Sequence, residues 1–498
     1  MNDIYPCSKR QKLATTKKFK PLYLKSFTLC SFRFQLIKTL LLSVLAGGLM
    51  ISCQKQSNQN GNARLFLSAD TVSFDTVFAA TATVTQQVRL INNNDFGLTL
   101  NSVSLSGGSA SPFIINIDGS PGPEVTNLGI PANDSLIIFV TVYIRAGSGP
   151  VPFHLEDSIR ISYNGREQFV QLSAWGQNAH FLKNLVIQHD TVWPNDLPYV
   201  IYGSLTVDNN ATLSIQAGTH IYVHADAPIY VDGSLKVLGD SLSNQRVYFT
   251  GDRLDLPYAN YPGSWPGIFF RQNSRDNVLN YAVLQNGNQT LVSEGLSTDL
   301  NPKLSLKQCI INNSLAEGIL AVQSSIHAIN CLVSNCGQNI VIGLGGVYQF
   351  EYCTVASYST NLLFHQQPVL TVSNSGIDGS QVITADLNAG FINCIFWGSE
   401  NIPDEAAIQK QGSNVFNVRF DHTILKQQNY PANIDSSSLW LNANPLFIAT
   451  GTPGNEFNYQ LQPGSPALDR GINSGIFLDL NGDPRPVNLS DLGCYERQ

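Results

Sequence analysis

Few residues of this chain have the types and spacing that chemistry would need. His220 and His224 are four residues apart, which suits one metal ion on a helix. In an extended run such as residues 219–224, that spacing separates them by about 13 Å. Asp404 and Glu405 are adjacent, and neighbouring carboxylates usually point apart, unlike the opposed pair of a glycoside hydrolase. The sequence has no HExxH motif and no CxxC pair, so no reaction is predicted from motifs.

Oxygen-bearing side chains alternate near the C-terminus, at Asp479, Asn481 and Asp483. This order is typical of the beginning of a calcium loop. An EF-hand would have Glu at the position of Ser490. We therefore favour a structural turn that closes the fold, with calcium as the alternative, and we expect no other cofactor.

Four cysteines recur with a regular spacing. Cys309, Cys331 and Cys353 are 22 residues apart, and Cys394 follows 41 residues later, which fits two periods with Ser375 at the midpoint. The residue two positions after each cysteine is apolar, so the two positions share one face of a strand. In-register parallel strands rarely give the torsion that a disulfide needs. We interpret the cysteines as a stack of small buried side chains.

Asparagine follows four residues after the repeated position, at Asn286, Asn313 and Asn335. Asn tolerates the left-handed conformation of a sharp turn, and its amide can bond to its counterpart in the next repeat. A period of 22 with a turn residue in each repeat and no helical periodicity predicts a parallel β-solenoid. Its coils should stack at roughly 4.8 Å.

The position directly before the repeated one should point outward. Amide and aromatic side chains fill it, and such side chains suit a neutral glycan surface, although an ordinary solvated face is the alternative. The candidate glycan-binding residues are Tyr281, Gln308, Asn330, Tyr352, Asn393 and His422.

The distribution of charged residues restricts which partners and which reactions we expect. The chain has 36 acidic and 29 basic residues, and the first 52 residues hold nine of the basic ones. The remainder is strongly acidic, which argues against nucleic acid as a partner. No Lys or Arg lies between Lys307 and Lys410, whereas a lyase acting on uronates needs a cationic base and charge neutralisation. Whether the protein is an enzyme stays open, and a non-catalytic role is favoured.

Composition and turn residues favour β structure around these positions. Aromatic residues make up 10% of the chain and charged residues 13%. Residues 64–178 contain seven or eight alternating runs, and Asn164-Gly165 between two of them is typical of a type I′ hairpin. The number of runs fits an immunoglobulin-like sandwich, which has no cysteine for a disulfide. We expect it to be a spacer or an interaction module.

The N-terminus has the order of a targeting segment. A basic region precedes the apolar residues 40–51, which are of signal-peptide length and too few to span a bilayer comfortably. With Ser52 and Cys53 after it, this order resembles the lipobox of bacterial lipoproteins, although Met50 stands where Leu is usual. The resemblance implies cleavage before Cys53 and lipidation of its thiol. An ordinary secretory signal is the alternative.

Three further segments resemble known families. The stretch from Gly203, GSLTVDNNATLSIQAGTHIYV, resembles the opening coils of right-handed parallel β-helix proteins of the pectin-lyase-like superfamily. The C-terminal part of the chain contains the runs NPLF, GSPALDRG, DLNGDPRP and DLGCYE. It resembles the C-terminal region of bacterial choice-of-anchor Q proteins, which share that fold. The runs VSFDTVF and DSLIIFVTV resemble Ig-like domains of Bacteroidetes lipoproteins. The resemblance to the pectin-lyase-like superfamily implies polysaccharide lyase or hydrolase activity as a candidate function.

Together these patterns predict an all-β protein. Its parts are a signal peptide at 1–52, a polar tether at 53–63, an Ig-like β-sandwich at 64–178, and a right-handed parallel β-helix with a C-terminal cap at 179–498. We expect a lipid-anchored outer-membrane lipoprotein of the cell envelope, facing the periplasm or the surface. It would bind neutral polysaccharide or envelope proteins, or serve as a scaffold. A polysaccharide-degrading lyase or glycoside hydrolase is the alternative.

Overall fold

The computed structural model describes residues 62–78, 84–144, 153–297, 301–399, 401–451, 456–486 and 489–498. Over these ranges the chain is all-β, with 38 strands and three single-turn 3-10 helices at Gly108–Ala110, Ser243–Gln245 and Tyr258–Asn260. None of the helices in these ranges has the length and apolar character to cross a membrane. Cys53 and the predicted leader lie outside the described residues, so they stay predictions.

The first unit is a sandwich of two five-stranded sheets. Its strands are β1 (Phe66–Leu67), β2 (Thr71–Phe78), β3 (Gln86–Asn92), β4 (Leu98–Leu105), β5 (Phe113–Ile117), β6 (Ser120–Pro121), β7 (Glu124–Ile130), β8 (Asp134–Val142), β9 (Phe153–Tyr163) and β10 (Arg166–Gln177). One sheet has the order β1-β3-β8-β5-β6 and the other β2-β10-β9-β4-β7. In the second sheet β2 and β10 are parallel, while β10 and β9 are antiparallel.

Alternating burial explains the sandwich. In β8, Leu136, Ile138 and Val140 are buried, and the residues between them are more exposed. Strands with this period of two hide one face and must pack it against a second sheet. The predicted hairpin is confirmed, because Asn164 and Gly165 have φ of 47° and 69° and connect β9 directly to β10.

The second unit is a parallel β-helix built on one 24-stranded sheet, in the order β11 to β29 and then β32 to β36. The remaining strands form the hairpins β30–β31 and β37–β38. The strands are β11 (His180–Ile187), β12 (Thr191–Trp193), β13 (Tyr199–Val207), β14 (Thr212–Gln216), β15 (His220–Val223), β16 (Ile229–Val231), β17 (Ser234–Leu238), β18 (Val247–Gly251), β19 (Ile268–Phe270), β20 (Asn277–Asn280), β21 (Ala282–Gln285), β22 (Leu291–Glu294), β23 (Leu304–Lys307), β24 (Ile310–Asn312), β25 (Glu317–Ile329), β26 (Leu332–Ser334), β27 (Gln338–Glu351), β28 (Thr354–Ser357), β29 (Leu370–Ser373), β30 (Ser375–Asp378), β31 (Gln381–Thr384), β32 (Leu387–Ile392), β33 (Ile395–Gly398), β34 (Ala406–Gln409), β35 (Phe416–Leu425), β36 (Asp435–Leu441), β37 (Phe447–Thr450) and β38 (Phe457–Leu461).

Each coil contributes strands to three parallel ladders. Ladder A runs through β14, β17, β20, β23 and β32, ladder B through β15, β18, β21, β24, β26, β28 and β33, and ladder C through β16, β19, β22, β29 and β34. The long strands β25 and β27 pass from ladder C to ladder A, and β35 passes from A to B. The inward side chains of all three ladders form one continuous apolar core.

A residue in the left-handed conformation turns the chain from ladder A to ladder B. Seven such residues have φ between 44° and 55°, namely Tyr281, Gln308, Asn330, Tyr352, Asn393, His422 and Ser438. The next residue points inward, and four coils place a buried, unpaired cysteine there: Cys309, Cys331, Cys353 and Cys394. We call this bend the A–B corner.

The thiols have a role in hydrogen bonding that their spacing did not reveal. The Cys331 thiol donates to the carbonyl of Ile329 over 3.3 Å, and the other three cysteines donate to the carbonyl two residues before them. In the coil after Cys394 the Thr423 hydroxyl makes the same bond to Asp421 over 3.0 Å. Burial raises the pKa of Cys331 well above its ordinary value, so the thiol stays protonated and can donate. A small donor therefore occupies five of the corner positions, while Ala282 and Leu439 fill two others without a donor.

The interval from Cys353 to Cys394 is a single enlarged coil, so the two-period interpretation is wrong. Thr354 is in register with Ile395, and the Ile395 amide donates to the Cys353 carbonyl. The additional residues form a loop at 358–368 and the hairpin β30–β31, which starts at the predicted midpoint Ser375. The insertion is nearly as long as one repeat, so the spacing between Cys353 and Cys394 looks like two repeats.

Substitution of Cys331 tests the contribution of a small donor at the A–B corner. We expect Cys331→Thr to lower the melting temperature only slightly, because Thr423 fills the equivalent position. Cys331→Asp should lower it strongly, because burying an unpaired charge costs several kcal/mol. Melting followed by circular dichroism would measure both. Equal losses in the two variants would contradict the role of the donor.

Candidate functional site

The predicted glycan-binding column does not form an open surface. Asn330, Tyr352 and Asn393 are at most 1% exposed, so the expectation that they point into solvent is wrong. The left-handed bend aims them at the irregular chain after β38, where the Asn393 amide donates to the Ile472 carbonyl over 2.8 Å. Tyr281, Gln308 and His422 are half-buried. Asn330, Tyr352 and Asn393 cannot contact a glycan without displacing the C-terminal segment, residues 462–498.

Arg485 is the main contact between the C-terminal segment and the A–B corner. Its side chain is fully buried, pairs with Glu496 over 2.8 Å, and donates to the Asn330 side chain over 3.0 Å. Its guanidinium carbon lies 4.2 Å from the centre of the Tyr352 ring. Burial raises the pKa of Glu496, and Arg485 acts against that rise. The column proposed for a ligand therefore binds the chain's own C-terminus.

Removal of Arg485 should loosen this segment. Arg485→Ala leaves Glu496 buried without its partner, and breaking a buried pair costs on the order of 3–5 kcal/mol. We expect new cleavage sites within residues 462–498 in limited proteolysis, while the rest of the β-helix stays resistant. Arg497→Ala, at an exposed position nearby, is the control and should leave the pattern unchanged. Unaltered proteolysis of Arg485→Ala would remove the anchoring role.

Asp479, Asn481 and Asp483 form a turn closed by the chain's own amides. Asp479 Oδ1 accepts the backbone N–H groups of Asn481 and Asp483 over 2.8 and 2.9 Å, and Oδ2 accepts that of Glu496. Burial raises the pKa of Asp479 above its ordinary value. These contacts favour the structural turn. In the described ranges, no cluster of three His, Cys, Asp or Glu residues could hold a metal ion.

Two acidic residues, Glu351 and Asp421, lie in register two coils apart on the outer face of ladder A. Glu351 aligns with Ile392 and Ile392 with Asp421, so two coils, about 10 Å, separate the acidic residues. Glu351 pairs with His327 over 2.9 Å. Burial acts to raise the pKa of Asp421, but its contacts with Ser437, His422 and Arg419 outweigh it and hold the pKa below its ordinary value. Asp421 is thus engaged as a stable carboxylate.

An open groove of about 320 Å³ follows the turn from ladder B to ladder C. Seven of its ten lining residues carry a side-chain amide, and no lining residue is charged. We call it the amide groove, and its residues are Asn260, Gln285, Asn286, Asn312, Asn313, Asn335, Thr360, Asn361, Leu362 and Phe457. Three of them, Asn286, Asn313 and Asn335, are the repeated asparagines.

The floor of the amide groove is fixed by its own hydrogen bonds. Asn313 Nδ2 donates to Asn286 Oδ1 over 2.7 Å, and Asn335 Oδ1 accepts the Tyr459 hydroxyl over 2.7 Å. All three asparagines have positive φ, between 52° and 65°. By contrast, the described residues provide no partner for the side-chain amides of Gln285 and Asn361. Rigid amides therefore lie beside amides that can bind a ligand.

Insertions between the regular strands build the walls. One wall is the 3-10 helix Tyr258–Asn260, and the opposite one is the loop at 358–368. The loop is held from beneath by a buried pair, in which His365 Nε2 lies 2.9 Å from Glu405 Oε1. Glu405 Oε2 also accepts the Val369 amide over 3.2 Å. Adjacent Asp404 bonds elsewhere, to the backbone of Gln428 and Asn429, as adjacent carboxylates that point apart would.

The sequence predicts that the repeated asparagines form turns and bond to their counterparts in the next repeat, and the bond from Asn313 to Asn286 confirms this, but no groove was predicted beside them. The pairs Gln285-Asn286 and Asn312-Asn313 put two amides next to each other in successive coils, and this doubling was a usable indication of a polar groove. The walls gave no such indication, because Leu362 comes from the inserted loop at 358–368 and Phe457 from the hairpin β37–β38, both outside the repeat.

Comparison with known proteins adds no family. No protein-family profile matches the chain. No curated protein matches it either. Among solved structures, a family 123 glycoside hydrolase from Clostridium perfringens aligns at 13% identity with a TM-score of 0.18, over 23% of this chain and 26% of that one. This chain thus covers about a quarter of that protein.

Two other structures give similar values. The E. coli chaperone DraB aligns at 12% identity with a TM-score of 0.16, over 23% of this chain and 55% of that one. The Agl-KA catalytic domain aligns at 10% identity with a TM-score of 0.18, over 71% of this chain and 89% of that one. These similarities are too low to support a function, so the geometry of the chain itself has to carry the argument.

Proposed function

We propose that this protein binds neutral polysaccharide in the amide groove, without cleaving it. The observation that carries the proposal is a concave surface lined by amides and apolar groups, with no charged side chain. Amides donate and accept at once, which suits the hydroxyl groups of a sugar. A uronate chain would find no cation there to balance its carboxylates.

The repeat geometry supports an extended ligand. Asn286, Asn313 and Asn335 occupy three successive coils, so their amides recur about every 4.8 Å over roughly 10 Å. Phe457 is half-buried at one wall and offers part of its ring for packing against a sugar's apolar face. Regular amides beside an aromatic side chain favour several consecutive sugar units over one small molecule.

The cellular setting of the proposal comes from the sequence. The resemblances to a lipobox, to Bacteroidetes Ig-like domains and to choice-of-anchor Q proteins of the pectin-lyase-like superfamily support a lipid-anchored envelope protein. Right-handedness of the β-helix belongs to that resemblance. The sandwich would then act as a spacer that holds the β-helix away from the outer membrane, in the periplasm or at the surface.

Substitution of the free amides tests glycan binding. We expect the double variant Gln285→Ala with Asn361→Ala to bind its best neutral oligosaccharide about thirtyfold more weakly, because each of the two lost hydrogen bonds is worth around 1 kcal/mol. A glycan array would select the ligand, and calorimetry would measure the affinity. The control is Asn417→Ala, an exposed amide that bonds only to Asn388 on ladder A.

The outcomes separate the possibilities. Unchanged affinity in the double variant, or preferential binding of pectate or alginate, would contradict the proposal. An equal loss in Asn417→Ala would show that the effect is not local to the groove.

Glycoside hydrolysis is the second candidate, and it rests on the register of Glu351 with Asp421. Their separation of two coils is near the 6.5–9.5 Å between carboxyl groups of inverting enzymes. The contacts that hold Asp421 and the pairing of Glu351 with His327 argue against free roles for either carboxylate. Reducing ends that appear with the wild-type protein and vanish with Glu351→Gln would favour this candidate over binding alone.

Lipidation at Cys53 is testable independently. We expect Cys53→Ala to abolish incorporation of labelled palmitate and to move the protein from the membrane fraction to the soluble fraction, because the thiol is the acceptor. Cys30→Ala, within the leader, should leave labelling intact. Full labelling of Cys53→Ala would contradict the lipoprotein assignment.

A further inference from the structure

A second concavity lies where the sandwich meets the first coils of the β-helix. It is an open cleft of about 880 Å³, and we call it the junction cleft. Its lining comes from Phe78 at the end of β2 and from ten residues of the first coils, including Phe181, Asn184, Gly203 and Asp226. It is separate from the amide groove and shares no lining residue with it.

Four titratable residues form a row across successive coils in this cleft. Lys183 is in register with Tyr202. Ile201, Val223 and Gly251 are in register with one another, and the residues that directly follow them are Tyr202, His224 and Asp252. The row is therefore Lys183, Tyr202, His224 and Asp252, one residue per coil and about 4.8 Å apart. An ammonium, a phenol, an imidazole and a carboxylate follow one another along one wall.

Asp252 fixes the hydrogen-bonding state of His224. The Nδ1 atom of His224 lies 2.7 Å from Asp252 Oδ2, and a carboxylate accepts, so Nδ1 carries the proton. In the neutral ring Nε2 is then an acceptor on the opposite edge. Burial, with a further contribution from Asp252, raises the pKa of Tyr202 to about 12, so its hydroxyl keeps its proton. The row offers one acceptor and one hydroxyl side by side.

Part of the cleft surface beside this row is aromatic. Phe181 is 37% exposed and lies in β11 next to Leu182, and Phe78 contributes from the sandwich. Gly203 has φ of 71°, and a Cβ there would come within 2.1 Å of the Asn184 side chain, so a larger residue does not fit beside Asn184. Phe181 and Lys183 are two residues apart on one face of β11, so an aromatic surface lies beside the row of donors and acceptors.

The positive and negative side chains of the cleft offset one another, so they favour neither an anionic nor a cationic ligand. Asp252 is paired with His224, and Arg253 forms a two-point ion pair with Asp255. Lys183 and Asp226 carry opposite charges in the lining. A neutral ring with one apolar face and several hydroxyl groups matches this arrangement, because its C–H face can pack on Phe181 while its hydroxyls reach His224 and Asp226.

We propose that the junction cleft is a binding site for a single neutral sugar residue, with Phe181 as the packing surface and Tyr202, His224 and Asp226 as its hydroxyl partners. The site does not depend on the amide groove. It contacts the sandwich through Phe78, so an occupied cleft would also bridge the two units.

Calorimetry with methyl glycosides of glucose, galactose, mannose and N-acetylglucosamine tests the proposal on the full-length protein. We expect millimolar binding of at least one glycoside. His224→Ala should weaken it about fivefold by removing one hydrogen-bond acceptor, and Phe181→Ala should weaken it severalfold by removing the packing surface. His180→Ala is the matched control, because His180 pairs with Asp196 over 2.9 Å outside the cleft.

Each outcome decides the matter. Absence of heat with all four glycosides, or unchanged affinity in both His224→Ala and Phe181→Ala, overturns the proposal. The Gln285→Ala, Asn361→Ala double variant should keep its affinity for the methyl glycoside. Loss of binding in that variant would place the sugar in the amide groove instead and would overturn the junction site while leaving the proposed function standing.

Discussion

The backbone hydrogen bonds between successive coils are the interaction on which the other features depend. At the A–B corner the amide after one cysteine donates to the carbonyl of the cysteine in the coil before, as Leu332 does to Cys309 and Thr354 to Cys331. These bonds lock the register of neighbouring coils, so any residue type that recurs in the sequence becomes a column in space. The buried thiols, the asparagine ladder and the row in the junction cleft are all results of that register.

The left-handed residues at the corner decide what each column faces. A left-handed residue costs energy outside Gly, Asn and Asp, so Tyr352 and His422 need compensating contacts. Tyr352 obtains them from the C-terminal segment, through its hydroxyl bond to Ser490 over 2.7 Å and the guanidinium of Arg485 over its ring. The segment also covers apolar groups on the outer face of ladder B, such as Ile395 and Trp397. It therefore stabilises the strained corner and covers an otherwise apolar surface.

Sequence reasoning succeeded where the structure is periodic and failed where it is not. The spacing of Cys309, Cys331 and Cys353 was sufficient to predict a parallel solenoid, because stacking requires a constant period. The burial of Asn330 could not be predicted, because its partner Arg485 lies 155 residues away in a segment without periodicity. The enlarged coil before Cys394 was mistaken for two coils, because an insertion close to one period in length leaves the spacing unchanged. The sequence did not indicate which of the outward-facing positions in the repeat the C-terminal segment would cover.

Both candidate sites arise where the regular stack meets an irregular insertion. Stacking alone yields flat faces, and a flat face of amides in water has little to hold a ligand. The amide groove becomes concave because the loop at 358–368, anchored by His365 and Glu405, rises beside the asparagine ladder. The junction cleft opens at the break in register between Lys183 and Leu185 in β11, where the sandwich covers one side. The repeat thus supplies aligned hydrogen-bonding groups at a fixed spacing, and the insertions turn them into concave sites that can exclude water from a bound sugar.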